Sequence, residues 1–239
     1  MISLFEAVEK RISRRTYIPK LISADKKAEL NRIIADINSR SGLNIRLMEN
    51  GEDCFGLIKS YGMFSGVKSY FALIGNESDP DLRRKAGYFG EELTLEATKL
   101  GLGTCWVAGS YDKDSCGIDL GASESLVCVI SVGECPEKTV KEKAIEKTIK
   151  IKRKSFAEMT NISGEAPEWF IKGVECARYA PSARNKQPII FEFDGKNAKA
   201  FSTANFGYNQ IDLGIAEFHF ELGSGKKITP FNALQCNDK

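Results

Sequence analysis

Two polar segments, far apart in the chain, carry the side chains best suited to bind a ligand. In the first, residues 11–17, two guanidinium groups and a hydroxyl come from Arg11, Ser13 and Arg15. A planar guanidinium pairs with phosphate through two parallel hydrogen bonds, and a hydroxyl adds another donor. The segment therefore indicates a site for an anionic ligand. The plainer alternative is a basic helix C-terminus, which the helix dipole favours.

The second segment covers residues 180–188 and is bounded by Pro181 and Pro188, which restrict the backbone. A polar loop between two apolar elements more often serves a ligand than a purely structural purpose. The alternative is a well-formed loop that simply ends a helix. The donors between the prolines are Ser182, Arg184, Asn185 and Gln187.

A third segment, residues 101–109, superficially resembles a dinucleotide-binding loop. Trp106 occupies the position where the third glycine of that motif would stand, and the predicted order is helix then strand. The motif requires a strand followed by a helix, so the segment argues against a Rossmann site. Apolar residues with exposed backbone groups would instead suit the edge of a flat ring.

Composition excludes several functional classes. The 239 residues are 42% hydrophobic and 28% charged, with a net charge of +2, which gives no bulk attraction to nucleic acid or membranes. No apolar run approaches the roughly 20 residues of a membrane-spanning helix. Glu6, Glu9 and Lys10 interrupt any apolar signal sequence, so we expect a cytoplasmic protein.

Cysteine and histidine usage argues against a disulfide scaffold or a metal site. The seven cysteines are an odd number without close pairing, which is typical of buried thiols in a reducing compartment. His219 is the only histidine, and it lies in an amphipathic stretch where packing is its expected role. No metal site is therefore expected.

The predicted elements mix helices and strands. Ser3 and Glu6 form a capping box that opens a first helix, which the apolar spacing extends to about Tyr17. Residues 138–154 carry eight lysines or arginines and are expected to be mostly a solvated connection. Further helices are expected at 23–42, 79–101, 169–178 and 211–222, and strands at 45–48, 70–74, 104–108, 126–132, 189–193 and 198–201.

In combination, these segments resemble the motifs of the FMN-dependent nitroreductase family. The resemblance implies an α+β fold with a central, mainly antiparallel sheet flanked by helices. It also implies FMN as the cofactor. The matching motifs are Arg11-x-Ser13-x-Arg15, Gly-Leu-Gly-Thr-Cys-Trp at 101–106, the basic residues 152–154, and Ala-Pro-Ser-x-x-Asn-x-Gln-Pro at 180–188.

The order of the motifs departs from the common family pattern, in which the Ala-Pro-Ser motif follows the second helix. Here the motif follows the basic connection, and Ile189 stands where the common pattern has Trp. This order resembles the fused TM-type variant, in which two pseudo-symmetric lobes of one chain imitate a dimer. The resemblance implies a phosphate-binding lobe at 1–150 and a shortened lobe at 151–239 that supplies the flavin loop. We expect a monomer, with a homodimer through other surfaces left open.

The family's binding residues carry over position by position. Arg11, Ser13 and Arg15 would hold the FMN phosphate, assisted by Lys152 and Arg153. Residues 59–62 are a further candidate for contact with the ring or the ribityl chain. The second lobe would contact the isoalloxazine ring through Pro181, Ser182, Arg184 and Asn185. The other edge of the ring would be lined by Trp106, Ala108 and Gly109, mainly through their backbone groups.

The implied activity is hydride transfer from NAD(P)H through FMN to a small electron-poor acceptor such as a nitroaromatic or a quinone. No catalytic side chain is expected, because the flavin performs the chemistry. Three alternatives stay open. The first is another flavin chemistry on the same fold, such as dehalogenation or flavin fragmentation. The second is a flavin-binding electron shuttle without a dedicated substrate. The third is a degenerate family member that binds no flavin.

Overall fold

The computed structural model describes residues 2–56, 60, 62–162 and 164–228, so Lys59 and Tyr61 of the candidate segment at 59–62 lie outside the described residues. The chain divides into two compact units. The first comprises Met1–Leu82 and Leu93–Ala144, and the second comprises Arg83–Glu92 and Ile145–Lys239. The expected division into nitroreductase-like lobes at 1–150 and 151–239 stays a prediction.

Helices and antiparallel strands are interspersed along the described chain. The helices are α1 (Leu4–Lys10), α2 (Ala24–Ser41), α3 (Gly51–Cys54), α4 (Leu82–Lys99), α5 (Val140–Ile151), α6 (Glu168–Ala177) and α7 (Asn209–Ser224). The strands are β1 (Arg46–Met48), β2 (Ser69–Asn76), β3 (Gly103–Val107), β4 (Glu124–Gly133), β5 (Ile189–Phe193) and β6 (Ala198–Ser202). None of the helices in the described ranges is long and apolar enough to cross a membrane.

The first unit is built on an antiparallel sheet whose strand order is β1-β2-β4-β3. β2 is buried along nearly its whole length, which explains why its sequence is a continuous apolar run. The expected helix between Ser23 and Gly42 is confirmed as α2, which ends at Gly42 in the left-handed conformation with φ +72°. Its buried stripe is Leu30, Ile33, Ile34 and Ile37.

The opening helix begins as predicted but is shorter than predicted. Ser3 and Glu6 form the expected capping box, yet α1 ends at Lys10, and the chain from Arg11 to Tyr17 is extended. Hydrogen bonds to distant backbone replace the helical ones there. The Arg14 amide donates to the Thr104 carbonyl at 2.8 Å, and the Ser65 amide donates to the Arg15 carbonyl at 3.0 Å.

The basic connection at 138–154 is largely helical, which the sequence pattern did not specify. Most of it forms α5, whose described side chains are largely exposed, with Val140 and Ile151 being 86% and 72% exposed. The expectation of a mostly solvated segment is therefore confirmed, and the structure adds that the segment is helical. Lysine and glutamate are good helix formers, so a charged run can remain helical while solvent surrounds most of its side chains.

The second unit packs α6 and α7 around the hairpin of β5 and β6, which forms as predicted. Its core is aromatic: the rings of Phe191 and Phe220 stack at 4.8 Å, and Phe170 meets Phe220 edge-on at 5.7 Å. Residues 83–92 of α4 belong to this unit and pair with α7 through buried polar groups. Among these pairs, His219 Nε2 lies 3.0 Å from Glu91 Oε1. The histidine is fully buried, as expected for a packed residue, and also has this polar partner.

Candidate functional site

The basic segment of the first unit lies along the open edge of the sheet. Ser13 forms a parallel bridge with Thr104 of β3, so residues 11–16 extend the sheet beyond its edge strand. Side chains alternate between the two sides of an extended chain. Arg11, Ser13 and Arg15 therefore share one side, although no helix end presents them as predicted.

These three side chains come together around Cys105 of β3. Burial raises the pKa of the Cys105 thiol, whereas the charge of Arg15, a hydrogen bond with Ser13 and the charge of Arg11 oppose that rise. Only groups close to the sulfur act on it in this way. Arg11, Ser13 and Arg15 thus lie near the same residue of the edge strand. Two guanidinium groups and a hydroxyl form a donor set that suits a phosphate.

Arg14 points away from this cluster and holds the segment in place. Its guanidinium donates to the Glu142 carboxylate at 3.2 Å and to the Pro136 carbonyl at 2.8 Å. Burial alone would raise the pKa of Glu142, but hydrogen bonds from Thr139, Arg14 and the Arg15 amide bring the pKa below its ordinary value. Glu142 is therefore a structural anchor that the sequence patterns did not reveal.

The other candidates of the first unit stand at the end of β3. Trp106 is half-buried and pairs in register with Ile130 of β4, and alternation places its side chain on the opposite face from Cys105. Ala108 is half-buried and Gly109 is exposed just beyond the strand. This arrangement leaves backbone groups as the means by which residues 106–109 would meet a ligand.

In the second unit, Gln187 joins the basic residues to the polar loop. Its side-chain oxygen accepts the Lys154 amide at 2.9 Å, and its side-chain nitrogen donates to the Lys152 carbonyl at 2.9 Å. The guanidinium of Arg153 lies 3.9 Å from the centre of the Tyr179 ring. Residues 152–154 and 180–188 are therefore neighbours, and Gln187, which the candidate site omitted, is the link.

The loop backbone is strained. Arg184 and Asn185 both have φ +54°, and Gln187 has φ +47°, a region that residues other than glycine rarely adopt. Each such residue costs on the order of 1–3 kcal/mol and persists only where its surroundings hold it, commonly at functional sites. Inside the loop, the Gln187 amide donates to Ser182 Oγ and the Asn185 amide donates to the Ser182 carbonyl, each at 2.9 Å.

A buried carboxylate holds the centre of the loop from outside. Asp212 of α7 is 3% exposed, and the Ala183 amide donates to both of its oxygens at 3.0 and 3.2 Å. Burial raises the pKa of Asp212 to about 7, and the amide only partly opposes that effect. The sequence patterns missed this residue, and the one available signal was an acidic residue between Ile211 and Leu213 in a predicted helix.

This pKa predicts that Asp212 makes folding less favourable as pH rises from about 4 to 7. In that window the folded protein still binds a proton that the unfolded chain, with its lower carboxyl pKa, has released. We expect the difference in unfolding free energy between Asp212→Asn and wild type to grow up to pH 7 and then level off. Urea denaturation at several pH values measures it, and a constant difference would contradict the prediction.

The described cysteines and acidic residues form neither disulfides nor a group that could hold a metal ion. The six described cysteines are free thiols, and Cys236 lies outside the described residues. Within the described ranges, no group of three or more His, Cys, Asp or Glu side chains could hold a metal ion. The polar cluster around Cys105 and the strained loop remain the candidates for function.

Comparison with solved structures identifies the class first: this is a nitroreductase-like α+β fold. A "putative nitroreductase" from Thermotoga maritima matches with a TM-score of 0.64 and 22% identity, over 93% of this chain and 83% of that one. A nitroreductase with bound FMN from Bacteroides fragilis matches with a TM-score of 0.46 and 16% identity, over 59% of this chain and 92% of that one.

The family follows from the sequence itself. The family model described as "Putative TM nitroreductase" matches residues 3–224, which is nearly the whole chain. The chain therefore belongs to this TM-type nitroreductase family, as the resemblance implied. A search of curated proteins gave no match.

Proposed function

We propose that this protein is an FMN-dependent oxidoreductase that takes hydride from NAD(P)H and delivers electrons to a small electron-poor acceptor, such as a nitroaromatic or a quinone. Family membership and the nitroreductase-like fold support the reaction class. We further propose that the protein works in the cytoplasm, as a monomer with pseudo-dimer architecture.

One observation carries the proposal: Arg11, Ser13 and Arg15 lie on one side of a segment that is bridged to β3 at the edge of the sheet, near Cys105. Two guanidinium groups and a hydroxyl can together surround the charge of the FMN phosphate. The extended backbone fixes their spacing. Glu142 holds residues 11–16 from the other side by accepting hydrogen bonds from the Arg14 guanidinium and the Arg15 amide. Phosphate binding is thus the role that these residues fit best.

The ring contacts are proposed for the residues named by the family motif. Pro181, Ser182, Arg184 and Asn185 would meet the isoalloxazine, Lys152 and Arg153 would assist at the phosphate, and Trp106, Ala108 and Gly109 would line the other edge of the ring. FMN supplies the hydride chemistry when bound. The protein's residues bind and orient the ring, exclude part of the solvent and stabilise negative charge through Arg184.

The test is the absorption spectrum of the purified protein before and after anaerobic addition of NADH and NADPH. We expect flavin bands that bleach with a reduced nicotinamide and return when a nitroaromatic or a quinone is added. Flavin that nicotinamide does not reduce would point to another flavin chemistry. Reduction without turnover of any acceptor would favour an electron shuttle, and absence of FMN binding would overturn the proposal.

Arg184→Ala should make the bound flavin harder to reduce, because a cation stabilises the negative charge that reduction places on the ring more than it stabilises the oxidised ring. Titration with a redox dye measures the midpoint potential, which should fall. Lys186→Ala is the matched control, because it removes one positive charge from the same loop. The Lys186 ammonium lies 4.9 Å from the centre of the Phe206 ring, outside the loop. An unchanged or raised potential in Arg184→Ala would remove this role.

The chain should bind one FMN per monomer. Both proposed sets of binding residues come from one chain, and the second lobe has no Arg-x-Ser-x-Arg segment of its own. Flavin-to-protein stoichiometry combined with light scattering measures this, and binding should survive dilution to the monomer. Two flavins per chain, or loss of flavin that follows dissociation of a dimer, would show that the pseudo-dimer architecture is wrong.

A further inference from the structure

Asp212 is a buried carboxylate with few partners. Its side chain is almost completely buried on α7, and the hydrogen bonds it accepts within the described residues come from the Ala183 amide. Burying a carboxylate is costly unless hydrogen bonds or an opposite charge compensate it. Because one amide compensates only part of that cost, the residue calls for an explanation beyond packing.

The amide that Asp212 holds lies in the middle of the strained loop. Ala183 directly precedes Arg184 and Asn185, whose backbones have φ +54°. The hydrogen bonds that Ser182 accepts from the Asn185 and Gln187 amides close the loop upon itself but do not tie its centre to the core. Asp212 supplies that tie, because it belongs to a buried helix and reaches the loop from outside.

We propose that Asp212 is a positioning residue for the flavin-binding loop. Its carboxylate fixes the Ala183 amide, and this contact holds Ser182, Arg184 and Asn185 in the arrangement that meets the ring. The inference rests on the proposed function for its link to flavin, whereas its effect on loop order does not. A loop that is already ordered loses less conformational freedom when a ligand binds, and binding is correspondingly tighter.

The first experiment measures loop order in the flavin-free protein by limited trypsin digestion. Trypsin cleaves after Arg184 and Lys186, which are both exposed. Asp212→Ala should increase the cleavage rate at these sites about tenfold, because a hydrogen bond to a charged acceptor is lost and the open form is more populated. Asp212→Asn keeps an oxygen that can accept the Ala183 amide, so cleavage should stay near the wild-type rate.

The control is Asp194→Asn. The Asp194 carboxylate accepts the amides of Lys196 and Asn197 in the exposed turn between β5 and β6, so it has the same chemistry away from the loop. This variant should be cleaved after Arg184 and Lys186 at the wild-type rate. Circular dichroism of each variant confirms that the fold is retained.

The second experiment measures affinity for FMN and for riboflavin. Asp212→Ala should weaken both by a similar factor, since the loop is assigned to the ring, which the two flavins share, and Asp212→Asn should restore both. Wild-type cleavage of Asp212→Ala, equal cleavage of both Asp212 variants, or wild-type flavin affinity in Asp212→Ala would overturn the inference. If the wild-type protein binds no flavin, the proposed function fails, and the link of Asp212 to flavin fails with it, whatever the digestion shows.

Discussion

Arg15→Ala should weaken FMN binding by roughly tenfold or more while changing riboflavin affinity much less. Arg15 is one of the cations gathered around Cys105, and riboflavin lacks the phosphate that they are proposed to hold. A hydrogen-bonded charge of this kind is worth about 1.5–3 kcal/mol, which corresponds to that change in the dissociation constant. Fluorescence titration of the apoprotein with each flavin measures the two affinities.

Arg32→Ala serves as the control for this measurement. Arg32 lies on the exposed face of α2 and pairs with Glu29 at 2.7 Å, so its removal changes net charge by the same amount at a surface position. Both flavins should bind this variant as they bind wild type. Equal losses of FMN and riboflavin affinity in Arg15→Ala would remove Arg15 from the phosphate site.

Gly87→Ala should destabilise the second unit by about 1–3 kcal/mol, because it overpacks a close helix crossing. A Cβ at Gly87 of α4 would lie 2.1 Å from the carbonyl oxygen of Ile211 in α7, and backbone cannot yield as a flexible side chain can. In a helix with free space the same change would stabilise by up to about 1 kcal/mol. The sign of the effect, measured by urea denaturation, therefore tests the packing directly.

Two further variants test the same explanation, one at the same helix crossing and one as a control. Gly214→Ala should also destabilise, since its Cβ would lie 2.0 Å from the Arg84 carbonyl oxygen on the facing side of the same crossing. Gly207→Ala is the control, because no atom lies within 4 Å of the Cβ it would add. A Gly87→Ala protein as stable as wild type would mean that the two helices do not approach this closely in solution.

The amino-acid sequence by itself determined the elements whose signals are local. The capping box at Ser3 and Glu6, the apolar stripe of α2 and the alternating strands of the β5–β6 hairpin depend on neighbours a few positions away, and they form as predicted. The donor chemistry of residues 11–17 and 180–188, together with their order, was enough to indicate the family, which the family model confirms.

Tertiary structure decided how those donors are presented. Residues 11–17 satisfy helical spacing, yet the open edge of β3 and the Ser65 backbone offer them better-placed partners, so they are extended. In an extended chain, successive side chains point to opposite sides, so Arg14 lies on the side away from Arg11, Ser13 and Arg15. A helical pattern does not predict this separation. The hydrogen bonds that select this conformation join residues distant in sequence, so no local pattern contains them.

The same reason explains what was missed in the polar loop. Its residue types indicated a ligand, but nothing in them shows that Arg184, Asn185 and Gln187 adopt positive φ. Those angles persist because Gln187 bonds to residues 152–154 and Asp212 bonds to Ala183, contacts that exist only once the unit has folded. The sequence determined which groups are available for chemistry, and folding determined which of them are held in place, because local strain is tolerated only where distant partners compensate it.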